Sequence, residues 1–352
     1  MERFVIGTGR CGSTLLSKML AVSPEMASIF EFFNGLHGTG RFSREEITPD
    51  AFWDSITQPH AFITLASSRG YRVDEVDYPF DRPGMRYSRA DYLPWILVAT
   101  LPRLSDDPDR LFDGAKEFVL RQPTKARAEH YTDFFSWLAR KSGASMWNER
   151  SGSGIDYTGD LADLFPDGRF LHIHREGEEA ALSMREHALF RLAVTIVYDL
   201  DPEMDLVELL NHVICEPGKP DPLREFLERR PAAEHFGRFW ADQLATGFRA
   251  VQKLRPEQYR EVRFEDLVLS PAETLLEIAD FFEMDPDVGG WIPKAASLVR
   301  GMPPSRLESL APEEAERLVT ACRTGNRLLD RSDSSRAAGV ELRKHSRDRQ
   351  SP

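Results

Sequence analysis

The stretch Phe4-Val5-Ile6-Gly7-Thr8-Gly9-Arg10-Cys11-Gly12-Ser13-Thr14-Leu15-Leu16 constrains this chain more than any other. Its apolar start reads as a short buried strand. A glycine-rich turn carrying one arginine follows, and then a helix start with two hydroxyl residues in its first turn. That order aims several backbone N–H groups and the positive end of a helix dipole at one point in space. Such a point suits an anion, above all a phosphate or a sulfate. The glycines let the backbone approach the ligand, because no Cβ intervenes.

The spacing refines this. Gly7 and Gly12 stand as the two glycines of G-x-x-x-x-G-K-[ST], and Thr14 fills the last position. Ser13 stands where the motif has the lysine that reaches the terminal phosphates of a nucleoside triphosphate. An ordinary ATPase or kinase is therefore disfavoured, and Arg10 supplies the missing positive charge from inside the loop. The bland alternative is a glycine-rich turn with no ligand, against which glycines, cation, hydroxyls and flanking pattern all speak.

The chain has 352 residues, enough for a sizeable core, and 41% hydrophobic with 29% charged residues marks a globular protein. No apolar run reaches the length of a transmembrane helix. No signal-peptide pattern precedes the first strand, so a secretory signal is not expected. Cys11, Cys215 and Cys322 are few and widely spaced, which suits a reducing cytoplasm and offers no disulfide or metal framework. Cys11 reads as a small residue in a tight loop rather than a nucleophile. The net charge of −12 argues against nucleic-acid binding.

Alternating patterns further along predict βαβ units around a mainly parallel sheet. The expected elements are a helix from Ser13 to about Ala21, a strand over Met26–Phe30 with Glu31 at its end, and a loop at 34–40. Later come a helix over Tyr131–Lys141 capped by Gly143 and a strand over Ala144–Asn148 running out at Glu149-Arg150-Ser151-Gly152. A helix over Tyr157–Phe165, a strand over Arg169–His174 and a helix over Gly177–His187 follow. More helix is expected over 188–230, a loop at 216–222 and a long helix over Phe236–Leu254. The chain then predicts a strand over Tyr259–Phe264, a helix over Pro271–Phe282, an irregular run after Trp291 and a charged helix over Pro312–Leu328. The domain plan is one unit over 1–329. Within it, the aromatic-rich segment 41–122, with helical fragments near 90–104 and 109–120, reads as a helical substrate-lid insertion. Residues 330–352 have few apolar residues and read as a disordered tail.

Arg175 and Ser183 form a second constellation, eight residues apart across a strand end and the helix after it. About two turns of helix separate them, roughly 11 Å, and a phosphate fits between them if the chain folds back at Gly177. The planar fork of arginine pairs bidentately with phosphate oxygens. His172 and His174 share a strand face, but with no Cys or acid near them they read as packed or cofactor-adjacent rather than zinc ligands.

With these residues in view, the chain resembles the sulfotransferases that use 3′-phosphoadenosine 5′-phosphosulfate (PAPS). Gly9-Arg10-Cys11-Gly12-Ser13-Thr14-Leu15-Leu16 is similar to their 5′-phosphosulfate-binding motif. The run from Leu164 to Gly177, with Arg175-Glu176-Gly177 as R-[DE]-[GP] and Ser183 beyond, is similar to their 3′-phosphate-binding motif. Val262-Arg263-Phe264-Glu265-Asp266-Leu267 followed by Pro271 matches a common late strand-and-helix pattern. The resemblance covers roughly residues 3–31 and 145–310 and is greatest to the bacterial and tyrosylprotein branches.

The resemblance implies a P-loop-containing nucleotide-hydrolase-like three-layer α/β fold and roles by position. Arg10, Cys11, Gly12, Ser13, Thr14 and Leu15 would hold the 5′-phosphosulfate, with the backbone of Cys11 and Gly12 donating. Arg175 and Ser183 would hold the 3′-phosphate, and Ser305-Arg306 belong to a loop closing over the cofactor. Glu31 falls where those branches carry a glutamate general base, with His37 as runner-up. Arg150 falls at the lysine that stabilises charge on the leaving group, but Ser151-Gly152 replaces the proline that normally follows. The family needs no metal.

These signs imply a cytoplasmic sulfotransferase using PAPS and releasing 3′,5′-adenosine bisphosphate (PAP). Its acceptor would be a hydroxyl, in second place an amine, of a small or lipid-like molecule, with a homodimer left open. The alternatives are a P-loop kinase-like phosphotransferase on a nucleotide or small metabolite, and a non-catalytic nucleotide-binding protein.

Overall fold

The structure, a computed structural model, describes residues 1–36, 40–202 and 221–347. In chain order it opens with β1 (Arg3–Ile6), α1 (Ser13–Leu20) and β2 (Met26–Phe30). An antiparallel ribbon of β3 (Glu46–Ile47) and β4 (Lys125–Ala126) brackets α2 (Pro49–Ile56), α3 (Ala61–Ser68) and α4 (Pro108–Leu120). Then come α5 (Arg127–Lys141), β5 (Met146–Arg150), α6 (Thr158–Leu164), β6 (Arg169–His174), α7 (Gly177–Arg185), α8 (Ala188–Val197) and β7 (Tyr259–Arg263).

Five strands form one parallel sheet in the order β2-β5-β1-β6-β7. Successive side chains of a strand face opposite sides, and both faces are covered. Phe4 and Phe170 enter one core layer with Ile29, Phe134 and Phe135. Their neighbours Val5, Leu171 and Ile173 enter the other, with Leu16, Val262 and Leu275. This is the three-layer α/β fold that the sequence implies. Because β1 lies at the centre and its neighbours are reached in opposite directions, the carboxyl ends of β2, β5, β1 and β6 open on one crevice, the usual ligand site of such sheets.

Several boundaries differ from those expected. β5 runs over Met146–Arg150 rather than 144–148, so Glu149 and Arg150 are strand residues. Two charged side chains disguise a strand end, and here each finds hydrogen-bond partners inside the protein. Trp291–Ala296 is helical where an irregular run was expected, its apolar residues filling the core beside α1. Over 90–104 the backbone makes a short π-helical turn at Ile96–Thr100 and a 3₁₀ turn at Leu101–Arg103 instead of a plain helix. Helix Pro312–Arg347 continues through most of the stretch expected to be disordered. His37, Cys215 and the loop 216–220 fall outside the described residues. No helix among the described residues is long and apolar enough to cross a membrane.

Candidate active site

The loop after β1 turns on left-handed residues: Gly9 at φ 79°, Arg10 at φ 52° and Gly12 at φ 96°. A Cβ on Gly9 would lie 2.2 Å from the ring of Phe190, and one on Gly12 would lie 2.2 Å from the ring of Phe264. Only glycine permits both the conformation and the contact. α1 then starts with Gly12 at its N-cap, no side-chain cap and no acidic residue in the first turn. Its first N–H groups are thus left for a ligand. The side chain of Cys11 is buried in the core, and burial pushes its thiol up, so it packs as expected.

At the end of β2, Glu31 adopts φ 51° and is buried. Its carboxylate pairs with the guanidinium of Arg150, from the end of the neighbouring strand β5. It also accepts the Gly152 N–H at 3.0 Å and the Asn34 amide at 2.5 Å. Arg150 is 1% exposed and donates in addition to Thr14 Oγ1 at 2.6 Å, tying the pair to α1. Its guanidinium lies 4.1 Å from the centroid of the Phe30 ring, and that of Arg103 lies 3.2 Å from the same centroid. Arg103 in turn meets Asp77 at 2.5 Å.

One residue behind Arg150, Glu149 is 1% exposed and makes no ion pair among the described residues. Burial pushes its carboxyl up to about 8, opposed by hydrogen bonds from Ser151 Oγ at 2.6 Å and the Phe33 N–H at 3.3 Å. Asp156 is reached by solvent through the cavity but surrounded by protein. Burial pushes it up to about 6 against a 2.7 Å hydrogen bond from Gln243.

Beyond β6, Arg175 lies with its guanidinium 4.8 Å from the Phe264 ring centroid. Ser183, two turns along α7, accepts from Arg10 Nε at 3.1 Å. The two constellations read from the sequence therefore touch directly. His187 follows α7 and meets Glu75 at 3.0 Å. Burial raises the Glu75 carboxyl, but the hydrogen bond to His187, with a backbone hydrogen bond and the nearby Arg10, leaves the group below its ordinary value. Ser305 Oγ and the N–H groups of Arg306 and Leu307 all donate to Glu179 on α7.

These groups surround a cavity of about 710 Å³. Arg10, Gly12, Ser13, Thr14, Glu31, Arg150, Arg175, Ser183 and Arg306 line it, and all nine were singled out in the sequence. Cys11, Leu15 and Ser305 do not line it. The rest of the wall was not legible. Asn34, His60, Phe62, Trp95 and Arg103 come from the loop and insertion after β2, and Leu189, Phe190, Leu192, Ala193 and Ile196 from α8. For Asn34 the three-residue spacing from Glu31 was the only available signal. His172 is packed away: burial pushes it down to about 3, and its Nδ1 lies 2.8 Å from Tyr259 Oη.

The sulfotransferase family model matches residues 3–212 of this chain. No curated protein matches it. Among solved structures, sulfotransferase STF9 from Mycobacterium avium is 16% identical at a TM-score of 0.42, over 91% of this chain and 75% of that one. The sulfotransferase domain from the curacin biosynthetic pathway is 14% identical at 0.42, over 91% and 96%. Sulfotransferase STF1 from Mycobacterium tuberculosis H37Rv is 14% identical at 0.42, over 91% and 76%.

Proposed function

The chain belongs to the sulfotransferase family, and we propose that it transfers a sulfuryl group from PAPS to a hydroxyl, in second place an amine, of a small or lipid-like acceptor. The observation that carries the PAPS reading is the hydrogen bond between Arg10 and Ser183. It joins the glycine loop and α7 on one wall, which supports reading them as two adjacent anion subsites for a nucleotide with both a 5′- and a 3′-phosphate group.

The residues fit that group. The uncapped start of α1 and the Gly9 and Gly12 cradle offer backbone donors where a Cβ would intrude. The Nε of Arg150 and one terminal nitrogen of Arg306 are buried with no hydrogen-bond partner among the described residues. When bound, PAPS supplies an activated sulfonate on a phosphate leaving group. The chain's own residues do the rest. Arg10 and the first turn of α1 hold the 5′ side, and Arg175, Ser183 and Arg306 hold the 3′-phosphate. Glu31 takes the proton of the acceptor hydroxyl, oriented by Gly152 and Arg150, with Asn34 giving way to the acceptor. Arg150 stabilises negative charge electrostatically and gives up no proton, since guanidinium stays protonated. Asp156 and the Glu75–His187 pair line the same cavity. The aromatic and aliphatic side chains of the insertion and α8 favour an apolar acceptor body.

Calorimetry tests the reading. Tight binding of PAP and much weaker binding of AMP is the expected result. Equal affinity for ATP with Mg²⁺ would favour a kinase-like site instead.

A further inference from the structure

Glu179 lies one turn into α7, is 6% exposed, and has no part in the chemistry outlined above. Its Oε1 accepts three hydrogen bonds from a single turn of the chain: Ser305 Oγ at 2.9 Å, the Arg306 N–H at 2.7 Å and the Leu307 N–H at 3.2 Å. Its Oε2 accepts no hydrogen bond and stands 3.7 Å from a terminal nitrogen of Arg175 and 3.7 Å from one of Arg306. One carboxylate thus divides its two oxygens between two tasks. One oxygen pins a distant turn, and the other sits between two cavity-lining guanidinium groups.

We infer that Glu179 is the positioning residue of the second anion subsite, clasping the 305–307 turn to α7 so that Arg175 and Arg306 face one doubly charged phosphate together. The inference rests on the reading of this cavity as a PAP and PAPS site. Two guanidinium groups repel each other in a partly buried wall. For Arg175, burial lowers the pKa most, with the charge of Arg306 adding to it and that of Glu179 opposing. A shared carboxylate keeps the pair together at a cost of one charge in three. At 3.7 Å it is too distant to consume their donors, so the remaining N–H groups stay free for a ligand. The pair is also braced from the other side. Arg175 stacks on Phe264, the same ring that closes over Gly12, so the second subsite is registered against the first.

The sign of the effect distinguishes this role from simple electrostatics. Removing a negative charge beside a phosphate site should tighten phosphate binding if Glu179 acts only through its field. The clasp predicts the opposite. Calorimetry with PAP and with AMP on the full chain reads both. For Glu179→Ala the expected result is PAP affinity weakened by about tenfold or more, the loss of one to two charged hydrogen-bond equivalents, with AMP affinity unchanged. Glu179→Gln keeps an oxygen for the turn and loses the charge between the arginines, and should fall between wild type and alanine. Amide exchange over 303–308 should rise in Glu179→Ala and not in Glu179→Gln. Tighter PAP binding in either variant, or equal loss of PAP and AMP, would overturn the clasp. So would unchanged PAP affinity in Glu179→Ala. Failure of the wild-type protein itself to prefer PAP over AMP would instead remove the PAPS reading, and the clasp's ligand with it.

Discussion

Arg150 and Glu31 form a buried ion pair between the carboxyl ends of two adjacent parallel strands, and Thr14 on α1 binds the same guanidinium. Three elements that meet the cavity are therefore tied by one side chain. Breaking a buried pair from one side leaves an uncompensated charge and costs about 3–5 kcal/mol, whereas removing both partners costs far less. Glu31→Gln should therefore lower stability markedly, and Glu31→Gln with Arg150→Met should recover much of it. Denaturant unfolding of the single and double variants measures the coupling. Both Glu31→Gln proteins should still bind PAP and lose sulfuryl transfer. Full turnover by either would move the base elsewhere.

The glycine loop makes a second, separable prediction. Gly12→Ala forces a side chain into a left-handed position and against the Phe264 ring. The backbone strain alone costs about 1–2 kcal/mol. Phe264→Ala opens the space but leaves the strain, so the double variant should regain part of the lost melting temperature. It should not regain PAP affinity, because Phe264 also backs Arg175. Thermal melts and calorimetry on the three proteins separate the two effects.

What was legible in the sequence follows from how local each signal is. The glycine loop and Arg175 sit at strand-to-helix junctions, and Ser183 lies on the helix that follows, where a short pattern dictates both conformation and chemistry. Glu31 was readable because the strand before it is mostly apolar. The segment 41–122 was expected as a lid, but which of its residues meet the cavity was not readable: Trp95 and Arg103 lie on turns that carry no period, and Asn34 on the short turn after β2. The end of β5 was misplaced for a related reason. Glu149 and Arg150 are charged, and tertiary partners at Phe33, Glu31 and Thr14, with the nearby Ser151, make a buried strand of them.

Glu149 gives a pH dependence with a definite sign. Its carboxyl is held up to about 8 in the folded protein, while the unfolded chain has an ordinary glutamate near ~4.3. Between those values the folded state binds the extra proton, so stability falls as pH rises through the window, at a limiting slope of about 1.4 kcal/mol per pH unit from this group. Below the unfolded value the contribution is constant, and above about 8 the loss is complete. Glu149→Gln keeps the hydrogen-bonding shape without the titration. Its unfolding free energy should vary less between pH 5 and 8 than that of wild type, with the largest gain at the alkaline end. Parallel profiles for the two proteins would show that Glu149 is not the group responsible.

Trp95 supplies the last prediction. Its indole N–H donates to the backbone carbonyl of Glu31 at 2.6 Å, and Thr100 Oγ1 donates to the carbonyl of Phe30 at 2.8 Å. The insertion thus grips the two residues that end β2, and Glu31 holds its left-handed conformation under that grip. Gly35 lies directly against the same indole, where a Cβ would come within 2.0 Å of the ring. Trp95→Phe keeps most of the packing and removes the donor, leaving a buried carbonyl unpaired at a cost of about 1–3 kcal/mol. Among the described residues no hydrogen bond or ion pair joins Trp95 to the glycine loop, α7 or the 305–307 turn, so PAP affinity should stay at the wild-type value. The rate of transfer should fall by about tenfold to a hundredfold, because a carboxylate displaced by a fraction of an ångström no longer meets the acceptor hydroxyl in line. A variant that bound PAP less tightly but turned over normally would show that the insertion supports the cofactor and not the base.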